Sequence, residues 1–400
     1  MRHKLVEVRQ KSKVRGRWGK TNSQQQITNS QHQMQLKLDS QTKEKQKLEI
    51  AEDYFQEIAS QAALIDKDPD ALKEALKGMG DRNLLALRVP KRWGGAEFSE
   101  LDYRCFQMAI ARYSGALAFL QTQHQSAAYL LAKSGNESLK QEYLPEMGTG
   151  KILVGVGFSQ LRRLGEPLMK AKPVTGGYEL EGEVPWLTGW GFFSDVIIGA
   201  ILPDGGEIYA MVPLQETQQE LGGKISFSAP MELAVMGSTN TVSAKLSGWF
   251  ERSDRLVSLK PSGSIHESSK KNVLHHGFFA LGCARAGLDI LEVAYQKKQL
   301  SFIQEAFNAL DRQVINCRQE MLEATSLESK FFEEKLKLRA RAINLAGRCS
   351  QAAVIASSGA ANNNEHPAQR VYREALLFSV SGQTTAVMEA SLSNLLFTKE

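Results

Sequence analysis

The sequence predicts an α+β protein of three parts: an N-terminal helical domain, a central β-barrel or sandwich, and a C-terminal four-helix bundle. Apolar residues recur at helical spacing from about residue 49, alternate with polar ones after 150, and return to helical spacing after 265. A chain of 400 residues is long enough to build several cores. We therefore expect domains over 49–150, 151–265 and 266–400, preceded by a tail over 1–48.

The net charge of +5 comes from the beginning of the chain. Residues 1–50 hold 12 Lys and Arg against 4 Asp and Glu, whereas the other 350 residues hold 37 against 40. Residues 1–48 are rich in Gln and Ser and lack a sustained apolar period, which predicts a disordered basic tail. A transit peptide or an RNA-binding arm is the functional alternative for this segment. The remainder is mildly acidic, so we expect no nucleic-acid-binding surface.

Several function classes lack their sequence signals. No apolar run reaches the 18 or more residues of a membrane span, so none is expected. The four cysteines are far apart, which argues against a disulfide scaffold or a zinc ribbon. No dinucleotide-binding glycine motif, P-loop, HExxH or GxSxG motif occurs. The histidines lack paired carboxylates at the spacing of a di-iron bundle, so we expect no metal.

The first helical region contains clear start signals. Asp68 followed by Pro69 predicts a helix start, and Ser99 with Asp102 three residues later predicts another. A third helix carries His124 on an apolar stripe between Leu120 and Ala127. A histidine in that position is usually a hydrogen-bonded core residue.

The two later regions differ in period. Alternation over 178–186 predicts a strand with one wet face, and further strands are expected over 195–202, 207–214 and 241–250. Four helices are then expected near 274–291, 302–317, 328–355 and 369–396, enough for a bundle. Within the third helix, the basic segment 337–341 is interpreted as a solvated face, or alternatively as a contact for a phosphate of a CoA-type ligand.

Short motifs in this order support a family resemblance. They are Val89-Pro90 with Trp93-Gly94-Gly95, Gly135-Asn136-Glu137 with Tyr143-Leu144-Pro145, Gly176 to Gly182 with Trp186-Leu187-Thr188-Gly189, and Arg370 with Arg373-Glu374-Ala375. Together they make residues 50–398 resemble the acyl-CoA dehydrogenase superfamily. The resemblance implies an FAD site between the β-domain and the bundle.

Four residues match the family's flavin contacts. By resemblance, Trp186 would lie against the flavin ring and Thr188 would bond near its N5 edge. Phe158 and Ser159 stand in the place of the family's threonine loop, with Ser159 donating to the pyrimidine side. An indole supplies a flat apolar wall, and hydroxyls fix the polar edge of such a ring. The alternative is that Trp186 and Thr188 belong to an ordinary β-core.

The family's catalytic base is missing from its usual place. Removal of an α-proton from an acyl thioester requires a base, and the family uses a glutamate where this chain has Gly382. Some members place the base on the first bundle helix instead, and His276 lies nearest that position. An imidazole can act as a base. The alternative is a pair of structural histidines, His275 and His276, at a helix start.

The flavin's adenosine half has also lost its family contacts. The family's arginine turn reads 296–300 here, without Arg or Phe-Gly, and its glycine loop appears only as Ser357-Ser358-Gly359. FMN would not need these contacts. This points to the superfamily's monooxygenase branch, whose histidine and serine near the flavin match His124 and Ser159. The branch's second histidine is Ser381 in this chain.

Three functions therefore remain open. The first is a flavin-dependent oxidoreductase acting on an acyl-CoA or a related small substrate, with FAD or, alternatively, FMN as cofactor. The second is a two-component monooxygenase that takes reduced FMN or FAD from a flavin reductase. The third is a catalytically degenerate binding or assembly subunit. The resemblance implies a homodimer or homotetramer, and we expect a cytoplasmic protein.

Overall fold

The computed structural model describes residues 44–396. The contacts divide the chain into two units, 1–49 and 50–400. Of the first unit only 44–49 are described, and they are helical. The predicted disordered tail thus lies outside the described residues up to 43.

The N-terminal domain consists of six helices. They are α1 (50–58), α2 (Ala62–Lys67), α3 (Pro69–Asp81), α4 (Glu100–Tyr113), α5 (Gly115–Ala132) and α6 (Glu137–Met147). The side chain of Asp68 accepts the backbone N–H of Asp70 at 2.8 Å, and Ser99 Oγ accepts that of Asp102 at 3.1 Å. Both helix starts are therefore the ones that their cap residues predict.

The central domain is one nine-stranded sheet. Its strands are β1 (Val154–Gly157), β2 (Met169–Val174), β3 (Gly177–Leu187), β4 (Asp195–Ile201), β5 (Glu207–Pro213), β6 (Thr217–Gln218), β7 (Lys224–Phe227), β8 (Val242–Arg252) and β9 (Leu256–Lys260). The order across the sheet is β6-β7-β8-β3-β2-β4-β5-β9, and β1 pairs with β4. β4 is parallel to β1 and β2, and all other pairs are antiparallel.

The C-terminal domain is helical throughout. Its helices are α7 (Ser264–Lys271), α8 (His275–Lys298), α9 (Ser301–Ala324), α10 (Phe332–Ser357), α11 (Pro367–Val380) and α12 (Thr385–Leu396). The expected single last helix is interrupted between α11 and α12. Gly382 has a φ of 61°, in the left-handed region that an α-helix cannot accommodate.

One apolar cluster joins the helical domain to the sheet. Ala127 and Leu131 of α5 pack with Val154 of β1, Ile197 of β4 and Met211 of β5. This burial fixes β1 against α5 and directs the turn after β1 toward the end of β3 and the start of the bundle. In the part of the chain that is described, no helix has the length and apolar character needed to cross a membrane.

Candidate active site

The imidazole of His276 occupies the space beside Gly382. His276 lies in the first turn of α8, and Gly382 lies in the break between α11 and α12. A Cβ added to Gly382 would lie 2.4 Å from His276 Cδ2 and 2.6 Å from Nε2. The two positions at which the family resemblance looks for a base are therefore adjacent, and the histidine fills the room that a side chain at 382 would need.

The His276 ring is held at one nitrogen. Ser381 Oγ lies 2.8 Å from His276 Nδ1. Within 44–396, Nε2 has no hydrogen-bond partner. A neutral imidazole that donates from Nδ1 to Ser381 carries its lone pair at Nε2, where it can accept a proton. Ser381 thus fixes the ring and leaves its other nitrogen available.

Arg339 holds the break between α11 and α12 in place. Its Nη2 donates to the carbonyl oxygens of Ser381 at 2.7 Å and Gly382 at 3.1 Å, and its Nη1 donates to Val273 at 2.9 Å. The side chain is 3% exposed, although it belongs to the segment 337–341. The prediction of a solvated face is therefore wrong for Arg339, because this position lies on the buried stripe of α10 with Leu336 and Ile343.

A second arginine, Arg162, extends from the turn after β1 to the start of the bundle. The turn Ser159–Arg162 follows β1, and a Cβ on Gly157 would lie 2.8 Å from Leu187 Cδ1 at the end of β3. Arg162 Nε donates to Ser269 Oγ of α7 at 3.2 Å. Its charge lowers the pKa of both Arg339 and His276. This turn therefore connects the end of β1 to α7 in the bundle.

The surroundings keep His276 neutral. Burial lowers its pKa well below the usual value, and positive neighbours, led by Arg339 and Arg162, lower that pKa further. The charged form is disfavoured both by lost hydration and by like-charge repulsion. At neutral pH the ring is thus unprotonated and can act as a base.

The carboxylate of Glu100 is already surrounded by cations. Glu100, in the first turn of α4, forms ion pairs with Arg104 and, at 3.9 Å, with Arg88, and His275 Nε2 lies 3.3 Å from its carboxylate. Desolvation raises the pKa of Glu100, but these neighbours lower it more, so that it lies well below the usual range. Burial first, then Arg104, lowers the pKa of His275 to about 3. His275 is therefore a neutral partner of Glu100.

The predicted flavin residues lie on and beside the end of β3. Trp186 is 52% exposed, which leaves its indole free as a wall for a flat ring. Thr188 is buried, and its hydroxyl lies 3.0 Å from that of Thr241. Ser159 is exposed, and the half-buried Phe158 packs edge-on against Tyr209.

These residues fit the ring portion of a flavin. When one hydroxyl of the pair Thr188 and Thr241 donates to the other, the accepting hydroxyl keeps its own proton for a further bond. Ser159 adds a hydroxyl at the surface of the turn. An exposed indole together with such donors matches a flat, partly polar ring, and Trp186, Thr188 and Ser159 are the residues that would hold it.

The segments 296–300 and 357–359, where the resemblance places phosphate contacts, bond to each other. Lys298 Nζ, at the end of α8, donates to the Ala356 carbonyl at 2.6 Å and lies 3.2 Å from Ser358 Oγ. Ser358 has a φ of 56°, a conformation that glycine adopts more easily. The lysine thus satisfies the end of α10 within its own chain.

His124 lies in the core with both ring nitrogens occupied. Its Nε2 lies 3.0 Å from the Met147 carbonyl, and its Nδ1 accepts the Val154 N–H at 3.0 Å. Burial lowers its pKa to about 4. His124 therefore joins α5 to α6 and β1, and no nitrogen is left for a substrate.

Sequence reasoning missed Arg162 and the buried role of Arg339. The helical spacing of Leu336, Arg339 and Ile343 contained a signal for the latter, because it places the arginine between two apolar positions. No local pattern points to Arg162. Its role depends on the contact between the turn after β1 and α7, which are over a hundred residues apart.

The chain resembles acyl-CoA dehydrogenases in sequence. Residues 42–151 match the family model for the acyl-CoA dehydrogenase N-terminal domain. The mitochondrial isovaleryl-CoA dehydrogenase of Pongo abelii is 26% identical over 37% of this chain and 36% of its own length. The probable acyl-CoA dehydrogenase YngJ of Bacillus subtilis is 22% identical over 86% of this chain and 96% of its length. The chain thus spans about a third of the first of these relatives.

Solved structures extend the similarity to the whole fold. Butyryl-CoA dehydrogenase from Megasphaera elsdenii superposes with a TM-score of 0.72 at 17% identity, covering 89% of this chain and 98% of that one. KijD3 in complex with FMN superposes with a TM-score of 0.70 at 14% identity, covering 90% and 95%. The helical domain, central sheet and helical C-terminal region define a protein of acyl-CoA dehydrogenase fold. The chain thus resembles this family in sequence over residues 42–151 and shares its fold over most of its length.

Proposed function

We propose that this chain is a flavin-dependent oxidoreductase in which His276 takes the role of the family's missing glutamate. The proposal rests on one observation: the His276 ring lies against Gly382, the position at which the resemblance places that glutamate. The substrate would be an acyl-CoA or a related small molecule with an acidic C–H bond.

The chain's own residues suit proton removal. His276 is neutral and has an unpartnered Nε2, and its Nδ1 is held by Ser381 at 2.8 Å. In the proposed step the C–H bond next to the activating group breaks and its proton passes to Nε2, while a hydride leaves the neighbouring carbon and a double bond forms between the two carbons. A bound flavin would supply the two-electron oxidant that takes up this hydride. Trp186, Thr188 and Ser159 would orient that flavin, as the resemblance implies.

Two experiments test this function. Acid extraction and the visible spectrum of the purified protein show whether it binds FAD, FMN or neither. Anaerobic bleaching of the bound flavin by a panel of acyl-CoA substrates then reports the chemistry. His276→Gln retains a partner for Ser381 but cannot accept a proton, so we expect bleaching to slow by about 100-fold or more with flavin still bound.

A matched histidine provides the control. His266 is exposed on α7, and His266→Ala should bleach at the wild-type rate. If His276→Gln also bleaches at that rate, His276 is not the base. If the protein binds neither flavin, in either redox state, the degenerate-subunit alternative replaces the proposal.

We also propose a cofactor, an oligomeric state and a location for this chain. FAD is the first choice of cofactor, and FMN is favoured if the bond between Lys298 and Ser358 replaces contacts to the adenosine half. The homodimer or homotetramer and the cytoplasmic location rest on the resemblance alone. The monooxygenase alternative, with its reductase, has lost one support, because both nitrogens of His124 are bonded to the backbone.

A further inference from the structure

Arg162 and Arg339, whose charges act on His276, have no acidic partner among the described residues. Within residues 44–396, no carboxylate lies within ion-pair distance of Arg162 or Arg339. The Nη atoms of Arg339 donate to backbone carbonyls. Its Nε is buried and has no hydrogen-bond partner among the described residues. The nearby carboxylate, Glu100, is shared by Arg104, Arg88 and His275. Positive charge is therefore in excess at this place.

Such an arrangement is costly unless something balances it. Burying a guanidinium without a counter-charge is unfavourable, and two of them close together repel each other. Burial lowers the pKa of Arg162, and burial together with Arg162 lowers that of Arg339 to about 10. Proteins keep such charges where a ligand supplies the missing anion.

The position of Arg162 indicates which molecule brings the anion. Its Nε is fixed by Ser269 Oγ at 3.2 Å, and its Nη atoms have no partner in the described part of the chain. The turn that carries it also carries Ser159, next to the end of β3. Arg162 therefore lies on the turn expected to hold the flavin, and Ser269 ties that turn to α7, the helix that precedes the one carrying His276.

We infer that the substrate bears a free carboxylate, which binds to the guanidinium of Arg162 against the background charge of Arg339. The substrate class is then a short-chain acyl compound with a carboxylate at the end opposite its activated group. The inference rests on the proposed function, since it identifies the substrate of that site. A bound carboxylate would also make His276 a stronger base, because an adjacent anion favours the protonated form of the imidazole.

Binding of a free dicarboxylate tests this without turnover. Calorimetric titration of the purified full-length protein with glutarate should give a dissociation constant on the order of 1 mM. Butyramide, which has no carboxylate, should bind at least about tenfold more weakly. Inorganic phosphate is the third probe. Phosphate binding with no glutarate binding would overturn the carboxylate assignment.

The variants separate this inference from the proposed function. Arg162→Gln and Ser269→Ala should weaken glutarate binding, the first by at least about tenfold. Arg163→Gln, at the neighbouring exposed arginine, should leave it unchanged. His276→Gln should bind glutarate normally but lose bleaching. Wild-type affinity in a folded Arg162→Gln variant overturns the inference, whereas unchanged bleaching in His276→Gln overturns only the proposed function.

Discussion

At residue scale, the imidazole of His276 leaves no room for a larger side chain at position 382. A glutamate at 382 cannot coexist with the imidazole, because its Cβ would begin 2.4 Å from the ring. It would also adopt a φ of 61°, which costs a non-glycine residue about 1 kcal/mol. An imidazole at 276 and a carboxylate side chain at 382 thus compete for the same space.

This exclusion predicts an unusual rescue. Gly382→Glu alone should destabilise the protein and abolish flavin bleaching. The double variant His276→Ala/Gly382→Glu should bleach at least about tenfold faster than His276→Ala alone. Stopped-flow bleaching measures each rate. His276→Ala/Gly382→Ala has the same strained backbone without the carboxylate and is the control. Equal rates in the two double variants would show that 382 does not face the reacting carbon.

The buried His124 predicts a pH dependence of stability. Its pKa is about 4 in the folded protein, below the ordinary value of 6.5, so the unfolded chain binds a proton first as the pH falls. The folded state therefore loses stability below about pH 6.5, by up to about 3 kcal/mol near pH 4. His124→Gln removes this term, and its unfolding free energy should change less between pH 7 and 4.5 than that of the wild type. Parallel pH profiles would contradict the assignment.

The residue scale also shows what the sequence can and cannot reveal. The apolar stripe around His124 predicts a core histidine, and both nitrogens are indeed bonded to backbone. The charged residues around Arg339 suggest a solvent-exposed surface, yet Arg339 is buried because it lies on the apolar face of α10. Arg162 has no local signature, since Ser269 meets it only through the fold.

At element scale, the short helix α7 depends on a strand residue. Its N-cap is Gly263, which has no side chain to offer. Glu207 of β5 accepts the Ile265 N–H at 2.8 Å and also the Tyr209 hydroxyl at 2.8 Å. A carboxylate at a helix start satisfies a free N–H and opposes the helix dipole. The strand thus fixes α7, which positions Ser269 and, through it, Arg162.

We expect Glu207→Ala to lower the free energy of unfolding by about 2 kcal/mol, because two buried donors lose a charged acceptor. It should also weaken glutarate binding, since α7 carries Ser269. Glu267→Ala changes an exposed acid in the first turn of the same helix and should cost less than about 0.5 kcal/mol. Urea denaturation measures both variants. Equal losses would mean that the cap does not hold the helix.

The break between α11 and α12 shows the limit of pattern recognition for elements. Apolar spacing continues from 369 to 396, so the sequence predicts one helix. The chain instead stops at Val380, since Gly382 adopts a left-handed conformation and Arg339 binds the carbonyls of Ser381 and Gly382. A distant side chain on α10 therefore stabilises a break that apolar spacing cannot indicate.

At the scale of the whole molecule, the order of the three parts could be predicted because each has its own hydrophobic period. Their mutual arrangement could not, because it depends on single polar side chains. Asp66 of α2 is the clearest example. Its Oδ1 accepts the Met236 N–H of the sheet domain at 2.8 Å, and its Oδ2 accepts Arg373 Nη2 of α11 at 3.0 Å.

This junction carries the last prediction. Asp66 is 1% exposed and belongs to the helical domain, whereas its partners belong to the sheet and the bundle, so one carboxylate connects all three. Asp66→Ala leaves a backbone N–H and a guanidinium unpaired, and we expect unfolding to become easier by about 3 kcal/mol. Asp53→Ala, an exposed acid on α1, should cost less than about 0.5 kcal/mol. Urea denaturation followed by circular dichroism measures both, and a wild-type midpoint for Asp66→Ala would show that apolar packing alone holds the three domains together.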